Sequence, residues 1–195
     1  MNMPRLALAA LLVAVAFSTG CTFVPQEANI APAAGVMASD EGRNISVAVR
    51  VVDDRPSKSL GRRGNGMVKA AEISSAQDLA AVVHASVVDG LRKKGFVVVD
   101  YQGTADPRLT LEIRMLEYST SAGFWTAGVH VQGAIKAVAV RGAETYDRMY
   151  RTENEQRIVI VPTASTNEKW INEALTEVLQ QFFDDTGLFR FLAGA

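Results

Sequence analysis

The side chains of this 195-residue chain that could act on another molecule are few and scattered. There is one cysteine, Cys21, and there are two histidines, His84 and His130. A disulfide or CxxC redox pair needs a second thiol, and a zinc site would need the two histidines plus carboxylates that show no ligand-like spacing. No metal and no bound cofactor is therefore expected. His84 falls in a helical pattern beside its apolar stripe and His130 in an alternating strand, so each reads as a partly buried or interface histidine rather than a member of a serine–histidine–carboxylate triad. Asp53 and Asp54 are paired carboxylates, but adjacent residues on a strand point to opposite faces and cannot flank one bond as acid and base. With Arg55 they read better as an Asp53–Arg55 pair that fixes the following loop. The run GRRGNG, Gly61 to Gly66, follows no strand-to-helix crossover and lacks the Lys-Ser/Thr of a phosphate-binding loop. A non-enzymatic protein is expected.

Cys21 makes sense from what precedes it. Leu6 to Phe17 is an uninterrupted apolar run of twelve residues behind a short segment carrying Arg5. That is too short to span a bilayer, which takes about 20 residues, and has the length of a signal-peptide core. Ser18, Thr19 and Gly20 then lead directly into the cysteine. This resembles the bacterial lipobox, in which the thiol receives a diacylglyceryl group and the cysteine becomes the first residue of the mature chain; Ser18 stands where leucine is commonest. The alternative is a cleaved signal with a cysteine near the new terminus. Several acyl chains, palmitate among them, would anchor stably where one holds only marginally, at about 0.8 kcal/mol per buried CH₂. Thr22, where an aspartate would signal inner-membrane retention, points by analogy to the outer membrane, periplasmic face.

Two surface features are candidates for meeting a partner. The loop from Arg55 to Lys69 carries Arg55, Lys58, Arg62, Arg63 and Lys69 and no acid until Glu72, which suits an anionic glycan, a lipid headgroup or an acidic partner as well as a merely solvated loop. In SAGFWTAG, Phe124 and Trp125 lie between small residues, as in a partner-binding knob or an edge-strand packing site. Removing residues 1–20 leaves 19 basic against 21 acidic residues, a balance that does not attract nucleic acid.

The elements follow from periodicity. Residues 1–20 are the signal segment, 21–43 an Ala/Pro/Gly-rich tether of which 28–32 could lie along a sheet edge, and 44–195 one domain, long enough to bury a core without disulfides. Ile45, Val47, Val49 and Val51 alternate as a half-buried strand, and Asn65-Gly66 marks a hairpin turn or mobile loop. Ser75 and Asp78 look like a capping box before a helix with apolar positions Leu79, Val82, Val83, Val87 and Leu91, stopped at Gly95, with Arg92, Lys93 and Lys94 favourably placed in the last turn. Phe96–Tyr101, Leu109–Tyr118, Val129–Val140 and Tyr146–Val161 read as strands joined largely by hairpins. Ser165 and Glu168 repeat the capping pattern before a second apolar stripe, Trp170 to Phe182, closed by Gly187. The expected fold is α+β, an antiparallel sheet with two amphipathic helices packed on one face.

The combination of lipobox, pre-domain segment, a first strand running into Asp53-x-Arg55, a basic run ending in Gly95-Phe96 and a closing amphipathic helix resembles the YajG-like family of bacterial lipoproteins. The resemblance implies a compact periplasmic α+β domain and no settled activity. Two functions are expected on this basis: a binding or scaffold subunit that engages another envelope component, or a carrier of lipid or another hydrophobic ligand. A filled core would favour the first and an apolar groove between helices and sheet the second.

Overall fold

The computed structural model describes residues 24–64, 70–102, 104–122, 127–159 and 161–195. Among these residues eight strands form one sheet: β1 (Gln26–Ala28), β2 (Ser46–Asp53), β3 (Gly61–Arg63), β4 (Ala71–Ser75), β5 (Val97–Asp100), β6 (Arg108–Ala122), β7 (Ala127–Arg141) and β8 (Glu144–Ile158). Among the described residues three helices accompany them: α1 (Leu79–Lys93), α2 (Ala164–Phe183) and α3 (Thr186–Ala193). β6 is the spine. Along one side β7 pairs with it antiparallel from end to end, and β8 continues that meander. On its other side β6 has two successive partners, β2 in parallel from Arg108 to Ile113 and then β3 in parallel at Tyr118. Beyond β2 lies β5, and beyond β3 lie β4 and β1.

The sheet is therefore mixed, not antiparallel as expected. The reason lies in the connections: a hairpin reverses the chain, but β2 and β5 are neighbours joined through α1, and such a crossover returns the chain in the same direction. The Arg62–Ile73 stretch does pair as an antiparallel ladder, Arg62 opposite Glu72, although the Asn65-Gly66 turn lies outside the described residues.

One face of the spine is apolar. Leu109, Leu111 and Ile113 of β6 stand opposite Ala139, Ala137 and Ile135 of β7, and after a bulge Leu116 and Tyr118 stand opposite Gly133 and Val131. Val83, Val87 and Leu91 of α1 and Ile171, Leu175, Val178 and Phe182 of α2 belong to the same buried cluster. Gly133 leaves room for Val178, which a β-carbon there would meet at 3.0 Å; at Gly90 of α1 a β-carbon would lie 2.2 Å from the Phe183 ring. The chain needs glycine at Gly90 because the helices touch there. The other face carries the alternate residues, including Arg50, Glu112, Lys136, Asp147 and Arg151.

Helix ends depart from the sequence pattern in an instructive way. Asp78 caps α1, accepting from the Ala81 amide at 2.9 Å, while Ser75 closes a turn with Gln77. Thr163, not Ser165, caps α2 through the Thr166 amide. Gly187 does not close that helix. Asp185 interrupts it and caps a third helix, accepting from the Gly187 and Leu188 amides.

The largest correction concerns the tether. Residues 24–43 are built into the domain. β1 pairs with β4 at the sheet edge, and the extended chain after it is strapped along α2. The amides of Asn29, Ala31, Ala33 and Gly35 donate to Glu168, Asn172, Thr176 and Gln180 respectively, at 2.7 to 3.0 Å. Two extended residues advance about 6.6 Å and four helical residues about 6.0 Å, so every second amide meets every fourth side chain. The segment then caps α1: the Ser39 and Gly42 amides take the Lys93 and Lys94 carbonyls left over at its C-terminus. An Ala/Pro-rich composition resembled a linker because this segment's hydrogen bonds are made by its backbone, which composition does not display.

Two outcomes are expected. Leu175→Asp should unfold the domain, because an unpaired buried charge costs several kcal/mol against a total stability of about 5 to 15 kcal/mol; thermal melting checks it. In hydrogen exchange the Ala31, Ala33 and Gly35 amides should be protected, and Asn172→Ala should release Ala31 first.

Candidate functional site

The polar residues singled out in the sequence meet at a fork. After Ile113 the spine β6 loses β2, and only at Tyr118 does it gain β3. The loop joining β2 to β3 crosses that gap. Arg55, in this loop, is 7 % exposed, and all five of its N–H donors are used. Nε and Nη2 form a bidentate pair with Asp53 at 2.9 and 3.0 Å. Nη2 also reaches the Lys58 carbonyl, and Nη1 the Ser59 and Leu116 carbonyls, each at 3.3 Å. The Leu116 carbonyl belongs to β6 within the gap, so Arg55 supplies the donor that a neighbouring strand would have given. Lys58 closes the loop onto the Asp53 carbonyl and carboxylate at 2.6 and 3.2 Å. Burial by itself would raise Asp53, but the hydrogen bonds and charge of Arg55, with Lys58, hold it below the usual carboxylate range. β3 itself needs Gly61: its φ is +127°, and a β-carbon would lie 1.8 Å from the Tyr118 carbonyl oxygen.

Two further polar knots hold the helices to the sheet. Asp185 accepts hydrogen bonds from Tyr146 and Tyr150 and pairs with Arg148 at 3.3 Å. Burial opposes its charge, yet these donors and the Leu188 amide hold its carboxyl low, while burial and Asp185 push the Tyr150 phenol up. Tyr118 donates to Asn167 at 2.9 Å; Asn167 donates to Gln26, and Gln26 to the Ala164 carbonyl. This chain joins spine, α2 and β1, and burial pushes the Tyr118 phenol up to about 12 although the charge of Arg63 pulls the other way.

The fork separates the expected basic patch. Arg55 is corrected from a partner-facing cation to a buried one with its donors spent. Lys58 exposes its stem but ties its ammonium to Asp53. Arg62 is exposed and reaches the Ala70 carbonyl, and Arg63 donates to the Val24 carbonyl at 2.7 Å. Cys21, Lys69, Phe124 and Trp125 lie outside the described residues. Ser121 Oγ is 3.5 Å from His130 Nε2 on the sheet, at the limit of a hydrogen bond. The basic end of α1 is occupied by its own partners: Lys93 pairs with Asp89, and Lys94 with Glu41 while lying over the Phe189 ring. No group of three or more potential metal ligands occurs among the described residues.

A hollow of about 490 Å³ lies beside the fork, lined by Arg55, Ser59, Arg62, Glu72, Arg114 and Glu117 and by the apolar Pro56, Met115 and Leu116. Arg114, which the sequence reading missed, pairs with Asp54 across its rim and with Glu112 at 3.2 Å. A bulge between Ile113 and Met115 places it there, and a bulge leaves no residue-type signal in an alternating run. Both charge signs line this hollow beside those apolar side chains, so it offers a partner's surface hydrogen bonds and ion pairs together with apolar contact.

A family model described as an uncharacterized lipoprotein, Lipoprotein_16, matches residues 32–193. The chain belongs to this lipoprotein family. It is the YajG family that Asp53, Arg55 and Gly95-Phe96 resembled. No curated protein matches the sequence. Among solved structures, a Xanthomonas campestris protein of the DUF330 family superposes with TM-score 0.54 at 13 % identity, covering 85 % of this chain and 98 % of that one. A neuraminyllactose-binding hemagglutinin homologue from Helicobacter pylori gives 0.49 at 10 % identity, over 84 % and 97 % of the two chains. A Neisseria meningitidis lipoprotein gives 0.35 at 14 %, over 71 % and 97 %. The first of these likenesses speaks to fold and to nothing more.

Arg55→Met should cost about 3 kcal/mol, the order seen when one partner of a buried ion pair is removed, read as a lower denaturant midpoint with an unchanged slope. Acid should act through the lowered carboxyls. Their contribution is complete above the ordinary aspartate value of about 3.9 and is lost as pH falls below it through the folded-state values. Melting temperature should therefore drop on acidification below that value, and less steeply in Asp185→Asn, whose melting at neutral pH should already be lower.

Proposed function

We propose that this lipoprotein is a non-catalytic binding subunit, anchored through acylated Cys21 to the periplasmic face of the outer membrane, which engages another envelope component through the hollow at the fork and the adjoining sheet face. The observation that carries the reading is the use of its polar groups. The side chains with chemical potential, Asp53, Arg55, Asp185, Tyr118 and Tyr150, are committed to one another, to the Asn167 side chain or to the backbone. The carrier reading has less support. Val83, Val87, Leu91, Leu175, Val178, Phe182 and Phe189 are each wholly or almost wholly buried in a single cluster, and the contact of Gly90 with Phe183 leaves no apolar groove at that seam. Membership of a lipoprotein family supports the anchor, and the lone cysteine behind an apolar run identifies the residue that would bear it. Outside the described residues, Phe124 and Trp125 stay candidates for partner contact, as does Lys69; an anionic glycan or lipid is a second class of partner for the basic side chains.

Cys21→Ser should leave the domain folded and move it from the membrane fraction to the soluble periplasm, or stall it as precursor. An unchanged membrane fraction, with no acyl mass on the native terminus, would refute the anchor. Cross-linked capture from intact envelopes tests the surface. Arg62→Glu with Arg114→Glu should reduce capture in a salt-dependent manner, since exposed charges are screened over about 8 Å at physiological ionic strength. Trp125→Ala should weaken capture by more than about 1 kcal/mol with little change in melting if it is a contact residue. Capture unaltered by all three substitutions would remove both surfaces from consideration.

A further inference from the structure

The strap has a geometric consequence for any lipid carried by Cys21. Since residues 26–43 are bonded into the domain, what separates the acylated cysteine from the domain is not twenty residues but the few before β1. From Cys21 to Val24 is three residue steps, a reach of about 10 Å when fully extended. Val24 itself is held, its carbonyl accepting from Arg63 at 2.7 Å. A cysteine embedded at the bilayer surface thus places one particular end of the sheet against that surface.

Strand register identifies the end. β1 runs parallel to β4, with Gln26 opposite Ile73, and β3 lies antiparallel to β4, with Arg63 opposite Ala71. β3 runs parallel to β6 from Gly61 at Tyr118, so Arg63 lies towards the Ala122 end of β6. Ala122 pairs with Ala127, and Ala127 with Ile158. Val24, Ala122, Ala127 and Ile158 therefore share one end of the sheet, and the Gln26 side chain ties the start of α2 to it through the Ala164 carbonyl. The Arg141–Glu144 turn lies at the other end, about 46 Å away along a 15-residue strand.

That end carries apolar side chains that the fold leaves uncovered. Val24 is 64 % exposed, Val159 87 % and Val161 51 %. Val159 and Val161 follow the last residue of β8, in a segment that reads Ile158-Val159-Ile160-Val161-Pro162 in sequence, and Arg157 just before them is exposed. Such a cluster has a reason to exist where an acyl chain ends nearby: side chains of this kind are stabilised in the acyl–headgroup boundary, and an adjacent arginine faces phosphate.

Resting on the Cys21 anchor proposed above, we infer that the protein stands end-on upon the membrane, with Val24, Val159 and Val161 seated in the headgroup region of the bilayer and the Arg141–Glu144 turn pointing away from it. The occupant of this surface is the lipid leaflet that holds the acyl chains. The fork and the helix-free sheet face then stand perpendicular to the membrane, open to a partner from the side.

Because Cys21 is the sole cysteine and its thiol is consumed by acylation, a second cysteine gives a unique labelling site. Val159→Cys and, at the far turn, Ala143→Cys are both at exposed positions. Each acylated protein is labelled with a fluorophore and reconstituted into vesicles of phosphatidylethanolamine and phosphatidylglycerol containing a headgroup-level spin-labelled quencher lipid. Thermal melting first verifies the fold of each. The expected result is loss of most of the fluorescence at position 159 and retention of most of it at 143. Equal quenching at both positions in protein that floats with the vesicles and carries the acyl mass would overturn the end-on placement while leaving the anchor intact. Protein that neither floats nor carries an acyl group would remove the anchor and the placement with it. Quenching at 159 that persists after a long Gly/Ser insertion between Cys21 and Val24 would show that the end itself holds the lipid, beyond the short leash.

Discussion

The structure depends on how the spine strand β6 survives the change of partners on one of its sides. A strand in the interior of a sheet must satisfy its backbone groups throughout, since an unpaired buried carbonyl or amide costs about as much as a lost hydrogen bond. β2 serves β6 as far as Ile113, and β3 begins only at Tyr118. Between them Arg55 substitutes for a strand, donating to the Leu116 carbonyl while its remaining donors hold the loop that carries it. The arginine is oriented by Asp53, the last residue of β2, through the bidentate pair. Lysine could not replace it, for it has no planar fork and too few donors to reach a carboxylate and three carbonyls together. Everything on the far side of the fork, β3, β4, β1 and through β1 the strap, hangs from this junction.

The strap in turn explains why the helices are placed as they are. α2 offers Glu168, Asn172, Thr176 and Gln180 at intervals of four, a polar stripe beside its apolar one. In sequence such a stripe is indistinguishable from an ordinary solvent face. Its function becomes visible only when an extended chain with a repeat of two residues lies against it, since the two advances per contact differ by less than 1 Å on about 6 Å. The same segment then finishes α1, so one run of backbone joins the closing helix to the first.

Local patterns were legible and long-range ones were not. Alternation located β2, β6, β7 and β8, and the apolar stripes located α1 and α2, because each signal is carried by the residues of a single element. Parallel pairing of β2 with β5 and β6 could not be read, as period two is the same in either direction. Gly187 resembled a helix stop because glycine often ends helices, whereas the break is made two residues earlier by Asp185, held by tyrosines that are distant in sequence. At the fork, Asp53 and Arg55 were recognisable as a pair from their adjacency, but the burial of Arg55 depends on Leu116, 61 positions away. A count of positive charges treated Arg55, Lys58 and Arg62 alike, although the fold buries the first, ties down the second and leaves the third exposed.

The edges of the sheet narrow how a partner could approach. Adding a strand to an exposed edge is a common mode of protein recognition, driven by main-chain hydrogen bonds. Here β1 and β5 are three and four residues long, too short to template much pairing. β8 is long enough, at 15 residues, but seven of them are charged and of both signs, the means by which natural sheets discourage edge-to-edge association. One face of the sheet is covered by the apolar stripes of the helices. Among the described residues, the surface that is both accessible and varied is therefore the other face, where Arg50, Lys136 and Arg151 alternate with Glu112, Asp147 and Glu153 along the strands and Arg114 lines the hollow at the fork. A partner that recognises it must do so through side chains, with charges placed to match, and its affinity would fall with added salt as that of a strand-adding partner would not.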